Sequence, residues 1–293
     1  MNRVRSRAAA VPAPVLVLGS IASVQVGSAV ARTVFDVTGP AGITLLRLLL
    51  SGLLLTALVR PAVRSWSRAQ WGAAVLFGLT MGSMNLVFYL AIQEVPLGVA
   101  VTVEFIGPLT VALVQTRRAV DLLWVLLAGL GVALLGLKGD TSVPLSGLGL
   151  ALLAGMFWAG YILASARVGR VLPGIDGLAI ALLVAAALAL PFGAAGAVRA
   201  VQDGHALAVG FAVALLSSVI PYGLELTALR TIPTRVFGVL MSLEPAAAAL
   251  AGLVVLGQHL TSRQLVALVL VSLASVGVTL GSRGDRPAPQ PLE

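Results

Sequence analysis

The sequence predicts an all-α polytopic membrane protein: about ten transmembrane helices built as two inverted five-helix repeats. Three observations predict it. The composition cannot clothe a soluble domain, apolar blocks of membrane-spanning length recur along the chain, and a pair of prolines repeats between the halves. Of 293 residues, 59% are hydrophobic and 10% charged, with a mean hydropathy of +1.04. An average soluble protein carries about 25% charged residues. The polar skin of a soluble domain is missing, which argues against a soluble enzyme, a nucleic-acid-binding domain and a disordered chain. The net charge is +8 and the pI about 11.3. The nineteen Lys and Arg stand scattered between apolar blocks, so they read as topology signals and not as a nucleic-acid footprint. With no cysteine, disulfides, thiol catalysis and Cys-ligated metals are excluded. The two histidines, His205 and His259, fall beside span ends and make a poor metal site. No metal and no cofactor is expected.

A spanning helix needs roughly 20 apolar residues. Uncharged blocks of about this length run over Ala8–Ala31, Trp71–Gln93, Leu122–Leu137, Val143–Ala166, Gly177–Val198, Gly204–Leu224 and Gln264–Ser282. Three more carry a single charge each: 40–59 holds Arg47, 97–115 holds Glu104 and 236–256 holds Glu244. Ten helices use about 200 residues, and roughly 93 remain for nine loops and two tails. The loops are therefore short and no extramembrane domain fits. Arg3, Arg5 and Arg7 before the first block resemble a signal peptide, but the spans that follow make the block a retained first helix. The tail from Arg283 to Glu293, with Pro287, Pro289 and Pro291, is expected to be a disordered cytoplasmic end.

Positive residues mark cytoplasmic loops. With the N-terminus inside and ten spans, fourteen basic residues fall inside: Arg3, Arg5, Arg7, Arg60, Arg64, Arg68, Arg117, Arg118, Arg167, Arg170, Arg230, Arg235, Arg283 and Arg286. Three fall outside: Lys138, Arg199 and Arg263. Arg32 and Arg47 lie within spans or at their edges. Both termini come out cytoplasmic.

The stretch Leu90–Leu113 repeats weakly as Thr227–Leu250. At an offset of 137 residues, Pro96 meets Pro233 and Pro108 meets Pro245. Each half holds a helix, an X-Pro turn, and a helix with a second proline twelve residues on. Five spans per half is an odd number, so the halves must be inverted, with boundaries at 1–139 and 140–282. The Pro96 turn has Glu94 and no Lys or Arg, as an outside turn should. The Pro233 turn is flanked by Arg230 and Arg235, as an inside turn should be. Inverted repeats are a common plan of secondary transporters, with the substrate near the midplane between halves.

Ionisable groups inside spans cost about 2.5–3.5 kcal/mol on insertion scales and are functional candidates by default. They are Arg47 in span 2, Glu104 in span 4, Glu225 in span 8 and Glu244 in span 9. Glu104 stands four residues before Pro108, and Glu244 directly precedes Pro245. A proline removes a backbone donor and frees a carbonyl, so a polar pocket beside it can bind an amine or hold water. A glutamate there can exchange a proton during a transport cycle. The plainer reading is that each glutamate pairs with Arg47 or caps frayed backbone. Arg47 can grip a substrate carboxylate bidentately, or serve as a structural counter-ion. With Arg32 counted beside Arg47 against the three glutamates, one carboxylate is left for a proton or a substrate ammonium.

Polar and aromatic side chains recur on single helix faces: Gln25, Ser28 and Arg32; Asn85 and Tyr89; Trp158, Tyr161 and Ser165; Tyr222 and Glu225. They suit a cavity for a small zwitterion. Alternatively they serve interhelical hydrogen bonding and interfacial anchoring. No P-loop, HExxH or other catalytic pattern appears, and each Asp lies in or beside a loop or tail, so an enzyme is not expected.

Ten spans, an inverted repeat, the arginine of span 2 and the Leu243-Glu244-Pro245 start of the span 9 motif resemble the EamA-type drug/metabolite transporter superfamily. The likeness covers about residues 12–280. The stretches that carry it are 44–55, TLLRLLLSGLLL; 82–113, GSMNLVFYLAIQEVPLGVAVTVEFIGPLTVAL; 117–131, RRAVDLLWVLLAGLG; 157–164, FWAGYILA; and 232–250, IPTRVFGVLMSLEPAAAAL. Within the superfamily they look like the bacterial exporters of threonine and homoserine. The resemblance implies a secondary transporter that exports small neutral amino acids, driven by proton exchange. It also implies that Arg47, Glu104 and Glu244 match the family pattern. One departure stands out. Many EamA proteins have Leu-Gly-Glu after span 9, and here Leu256-Gly257 is followed by Gln258. The expected partners are an amino acid, protons and the lipid bilayer of the bacterial inner membrane. The alternative keeps the fold and changes the cargo to a nucleoside, a sugar-derived metabolite or a lipophilic cation.

Overall fold

The structure, a computed structural model, describes residues 12–116, 121–136, 143–172, 174–229, 232 and 234–281. Arg3, Arg5, Arg7, Arg117, Arg118, Lys138, Arg230, Pro233 and the tail from Arg283 lie outside the described residues. Among those described, all regular structure is helical. Ten spans follow one another. Span 1 is Ala13–Arg32, span 2 Phe35–Val59 and span 3 Arg68–Glu94. Span 4 has two pieces, Leu97–Glu104 and Ile106–Thr116, and span 5 is Asp121–Gly136. Span 6 is Leu145–Val171 and span 7 Asp176–Gln202. Span 8 runs from Gly204–Ala214 through a π-helical turn, Leu215–Val219, into Ile220–Leu229. Span 9 has two pieces, Thr234–Met241 and Glu244–Leu256, and span 10 is Ser262–Gly281. Eight of these are long and apolar enough to cross a bilayer, and spans 4 and 5 are shorter apolar helices.

The span ends follow local chemistry. Ser67 starts span 3 with a capping box to Gln70, and Asp203 caps span 8 through the amides of His205 and Ala206. Both satisfy donors that a helix N-terminus leaves free. Span 6 continues past the expected Ala166 to Val171 and so takes in Arg167 and Arg170. Long basic side chains can lie along apolar surface while their heads reach water. Span 9 ends on Gly257 at φ 64°, where a left-handed cap favours glycine. The next residue, Gln258, accepts the amide of Leu97 through Oε1 at 3.0 Å. The unusual glutamine thus ties the end of span 9 to the start of span 4, as an acceptor at a free helix N-terminus.

Besides a kink at Gly39–Pro40 near the start of span 2, where Gly39 takes φ 64°, spans 4, 8 and 9 are broken, each with a proline beside the break. Pro108, Pro221 and Pro245 cannot donate to the carbonyls four residues earlier, which belong to Glu104, Ser217 and Met241. The helix gives way near each: at Phe105, in the π turn, and at Ser242–Leu243.

Helices cross closely where small residues meet. Gly42 of span 2 lies against Gly196 of span 7, and a Cβ on Gly42 would sit 2.8 Å from Cα of Gly196. Gly98 of span 4 meets Ala249 of span 9, and Gly107 of span 4 meets Gly155 of span 6. Membrane helices associate through such close backbone approach, since lipid offers no hydrophobic drive. The outward faces carry exposed Leu54, Leu58, Leu122, Leu126, Met156, Phe192 and Val254. Such a surface is stable only in contact with lipid.

The main packing pairs are spans 2 and 7, 3 and 6, 1 and 8, 3 and 7, 5 and 10, 4 and 6, 1 and 9, 2 and 8, and 4 and 9. Moving each span number by five turns this set into itself.

Candidate substrate cavity

The broken helices meet around a cavity of about 450 Å³. This lies within the usual range of small-molecule sites. Arg47, Asn85, Glu104, Trp158, Tyr161, Tyr222, Glu225 and Glu244 all line it, as do Pro108, Gln25 and Ser28. Tyr89 does not line it and lies fully buried behind Arg47. Pro245 also falls outside the lining and serves to start the second piece of span 9.

Arg47 is held on both flanks. Its Nη2 donates to the Ser217 carbonyl at 2.7 Å, its Nε to the Ser218 hydroxyl at 3.3 Å, and its Nη1 to the Tyr89 hydroxyl at 3.2 Å. The guanidinium carbon also stands 5.7 Å from the Tyr89 ring centroid, within cation–π range. The Ser217 carbonyl is available because Pro221 offers it no donor. A guanidinium has five N–H groups. Three are donated here, which leaves one on each terminal nitrogen. Those two N–H groups are what it can still offer to a ligand.

The expectation that a glutamate pairs with Arg47 does not hold among the described residues. Arg47 bonds to span 8 and to Tyr89. The carboxyl groups of Glu104 and Glu244 have no hydrogen bond or close ion pair with another described group. Glu225 accepts a hydrogen bond from Ser20 at 2.6 Å. Glu104 ends the first piece of span 4, and Glu244 begins the second piece of span 9. The two carboxylates therefore sit at the breaks of spans 4 and 9. Gly155 gives Glu104 its place, since a Cβ there would lie 2.5 Å from the Glu104 carbonyl oxygen.

Arg32 corrects the sequence-based charge count. Its Nη1 donates to the Val95 carbonyl at 3.1 Å and its Nη2 to Gln93 at 3.5 Å, at the end of span 3. It satisfies free carbonyls of a helix C-terminus and lies off the cavity. The cavity thus holds one guanidinium and three carboxyl groups, so two carboxylates, not one, exceed the positive charge.

Aromatic rings shape the wall. Trp158 meets Phe105 edge-on at 5.4 Å, and Tyr161 leans on Phe77 at 5.0 Å. Trp158 stands at the middle of span 6, which is no place for an interfacial anchor. Ser217, Met84, Phe237, Ser275 and Thr279 also line the cavity and carried no functional signal on their own. For Ser217 the signal was Pro221, four residues on. Spans 6, 8, 9 and 10 contribute from their middles toward the end at which span 1 begins, and spans 1 and 3 from just past their middles, at Val24–Ser28 and Met84–Phe88. Toward the other end, Val95, Leu97, Val99, Leu148, Ala151 and Ala248 close into a packed apolar core.

A ten-helix membrane bundle with a polar mid-depth cavity between its halves defines a multi-pass membrane transporter. The chain belongs to the EamA-like transporter family, whose pattern matches residues 145–280, spans 6 to 10. It is 46% identical over 273 residues to the threonine/homoserine exporter RhtA of Escherichia coli (strain K12), covering 92% of each chain. It is likewise 46% identical over 275 residues to the threonine/homoserine exporter RhtA of Salmonella typhimurium (strain LT2), covering 93% of each. A crystal structure of a protein 20% identical in sequence superposes with a TM-score of 0.57, covering 91% of this chain and 96% of that one. That match shows the shared fold.

Proposed function

We propose that this protein exports small neutral amino acids of the threonine and homoserine kind across the bacterial cytoplasmic membrane in exchange for protons. The observation that carries the reading is the pairing of opposite groups in one cavity: a fixed arginine, and carboxylates at the breaks of spans 4 and 9. The arginine suits the substrate carboxylate and the glutamates suit its ammonium. The printed names of the two relatives support the substrate class.

The charge excess gives the exchange its logic. Three ionised carboxylates against one guanidinium are not tolerated in a site with little water. Protons must offset that excess, because a zwitterion adds no net charge; its ammonium can displace a proton from a glutamate only as its carboxylate takes Arg47. A site that holds one or the other, and carries each in opposite directions, is an exchanger.

The two five-span units, 1–139 and 140–282, we read as inverted repeats. The pairing set that maps onto itself supports this, as does a family match that covers one unit. With both termini cytoplasmic, the cavity extends from the midplane toward the cytoplasm and the packed core closes the outer side. That is the state in which an exporter takes up its cargo.

The test is counterflow of radiolabelled threonine in proteoliposomes of the purified protein. Homoserine and unlabelled threonine are expected to compete. A nucleoside, a sugar phosphate and tetraphenylphosphonium are not. Competition by one of those solutes, with none by homoserine, would reassign the cargo within the same fold.

A further inference from the structure

One cavity group has no task in that account. Gln25 of span 1 is 3% exposed, lines the cavity, and its Oε1 has no hydrogen-bond partner. Buried amides are ordinarily satisfied, so an exception needs a reason.

Several other polar groups of the lining are already claimed, and the Ser28 hydroxyl is on a short side chain. Arg47 holds span 8 and Tyr89. Asn85 donates to Met81, Ser275 pairs with Ser242, and Glu225 accepts from Ser20. The Ser217 hydroxyl is unpartnered too, but it is turned against Gly27, where a Cβ would overlap it. It has no room to follow a ligand. Gln25 alone combines an unpartnered neutral amide with a side chain long enough to adjust.

We infer that Gln25 reads the side-chain hydroxyl of the transported amino acid. This rests on the proposed export of amino acids and adds a determinant of selectivity. The assignment follows from charge. A carboxylate ligand belongs at the guanidinium and an ammonium belongs at the glutamates, so the neutral amide is left for a neutral group. An amide offers both donor and acceptor, and a hydroxyl uses both. Threonine carries its hydroxyl on Cβ and homoserine on Cγ. Glutamine, with three rotatable side-chain bonds, can follow both positions, which a short serine could not. A site built to bond a hydroxyl rejects the analogue without one, because its buried polar group is then left unpaired.

The experiment compares threonine with valine, its near-isostere lacking the hydroxyl, in counterflow by wild type and Gln25→Met. Wild type is expected to prefer threonine, and Gln25→Met to lower the threonine-to-valine ratio about tenfold while valine still moves. A ratio unchanged in Gln25→Met would overturn the inference. Should that variant fail to insert, ligand-induced stabilisation of wild type decides. Greater stabilisation by threonine and homoserine than by valine and 2-aminobutyrate supports the hydroxyl site, and equal stabilisation overturns it. Wild type that moves threonine and valine equally sinks the Gln25 inference and leaves amino-acid export standing. Wild type that moves no amino acid sinks the export reading itself.

Discussion

Glu104→Gln and Glu244→Gln are each expected to cut gradient-driven threonine export about tenfold or more, and to make the residual flux indifferent to the pH gradient. Glutamine keeps the size and the acceptor oxygen but cannot gain or lose a proton. A charge-assisted hydrogen bond is worth about 1.5–3 kcal/mol, so losing one to the ammonium costs on the order of 10–100-fold in binding. Neither carboxylate has a described protein partner to be orphaned by the change, so the variants should insert and fold normally. Membrane yield and gel-filtration profile check that. Inverted-vesicle uptake at several imposed gradients reads the effect. Normally inserted variants that still export threonine with an unchanged pH dependence would remove both glutamates from the coupling.

Arg47→Lys is expected to weaken threonine binding about 100-fold, although the charge is kept. Lysine offers a point charge where arginine offers a planar fork. It cannot bond Ser217, Ser218 and Tyr89 at once and still present two N–H groups to a carboxylate. The bonds to span 8 also hold together halves that are far apart in sequence, so a lower melting temperature in detergent should accompany the loss. Binding within twofold of wild type would mean that the arginine is structural and the carboxylate sits elsewhere.

Much of this architecture is legible in the sequence because charge is so scarce. Each span end lies near a Lys, Arg, Asp, Glu or turn residue, and the embedded charges stand out against apolar neighbours. Helical spacing likewise places Trp158 with Tyr161 and Tyr222 with Glu225 on common faces, and both pairs line the cavity. What spacing cannot supply is the partner across the bundle. Arg47 meets Ser217 over 170 residues of chain, and only the carbonyl released by Pro221 hints at it. Tyr89 shares a face with Asn85, yet one turn of helix is enough to carry it out of the cavity and behind the arginine. Arg32 looks like a second embedded charge in a linear reading. Its long side chain instead reaches the frayed end of span 3, a tertiary contact that the sequence does not encode locally.

Gln258 shows the same limit from the other side. As a departure from the family pattern it leaves a carboxylate's role open. In the fold the residue is an acceptor for the Leu97 amide, a task that an amide oxygen and a carboxylate oxygen can both perform.

The central claim is that threonine and protons are exchanged through one cavity. Its most direct test is to load proteoliposomes with the wild-type protein and a pH-sensitive dye, then add threonine to one side with no imposed gradient. The account predicts proton movement opposite to threonine entry, saturating with threonine and absent in the Glu104→Gln, Glu244→Gln double variant. Threonine entry with no accompanying change in internal pH would contradict it.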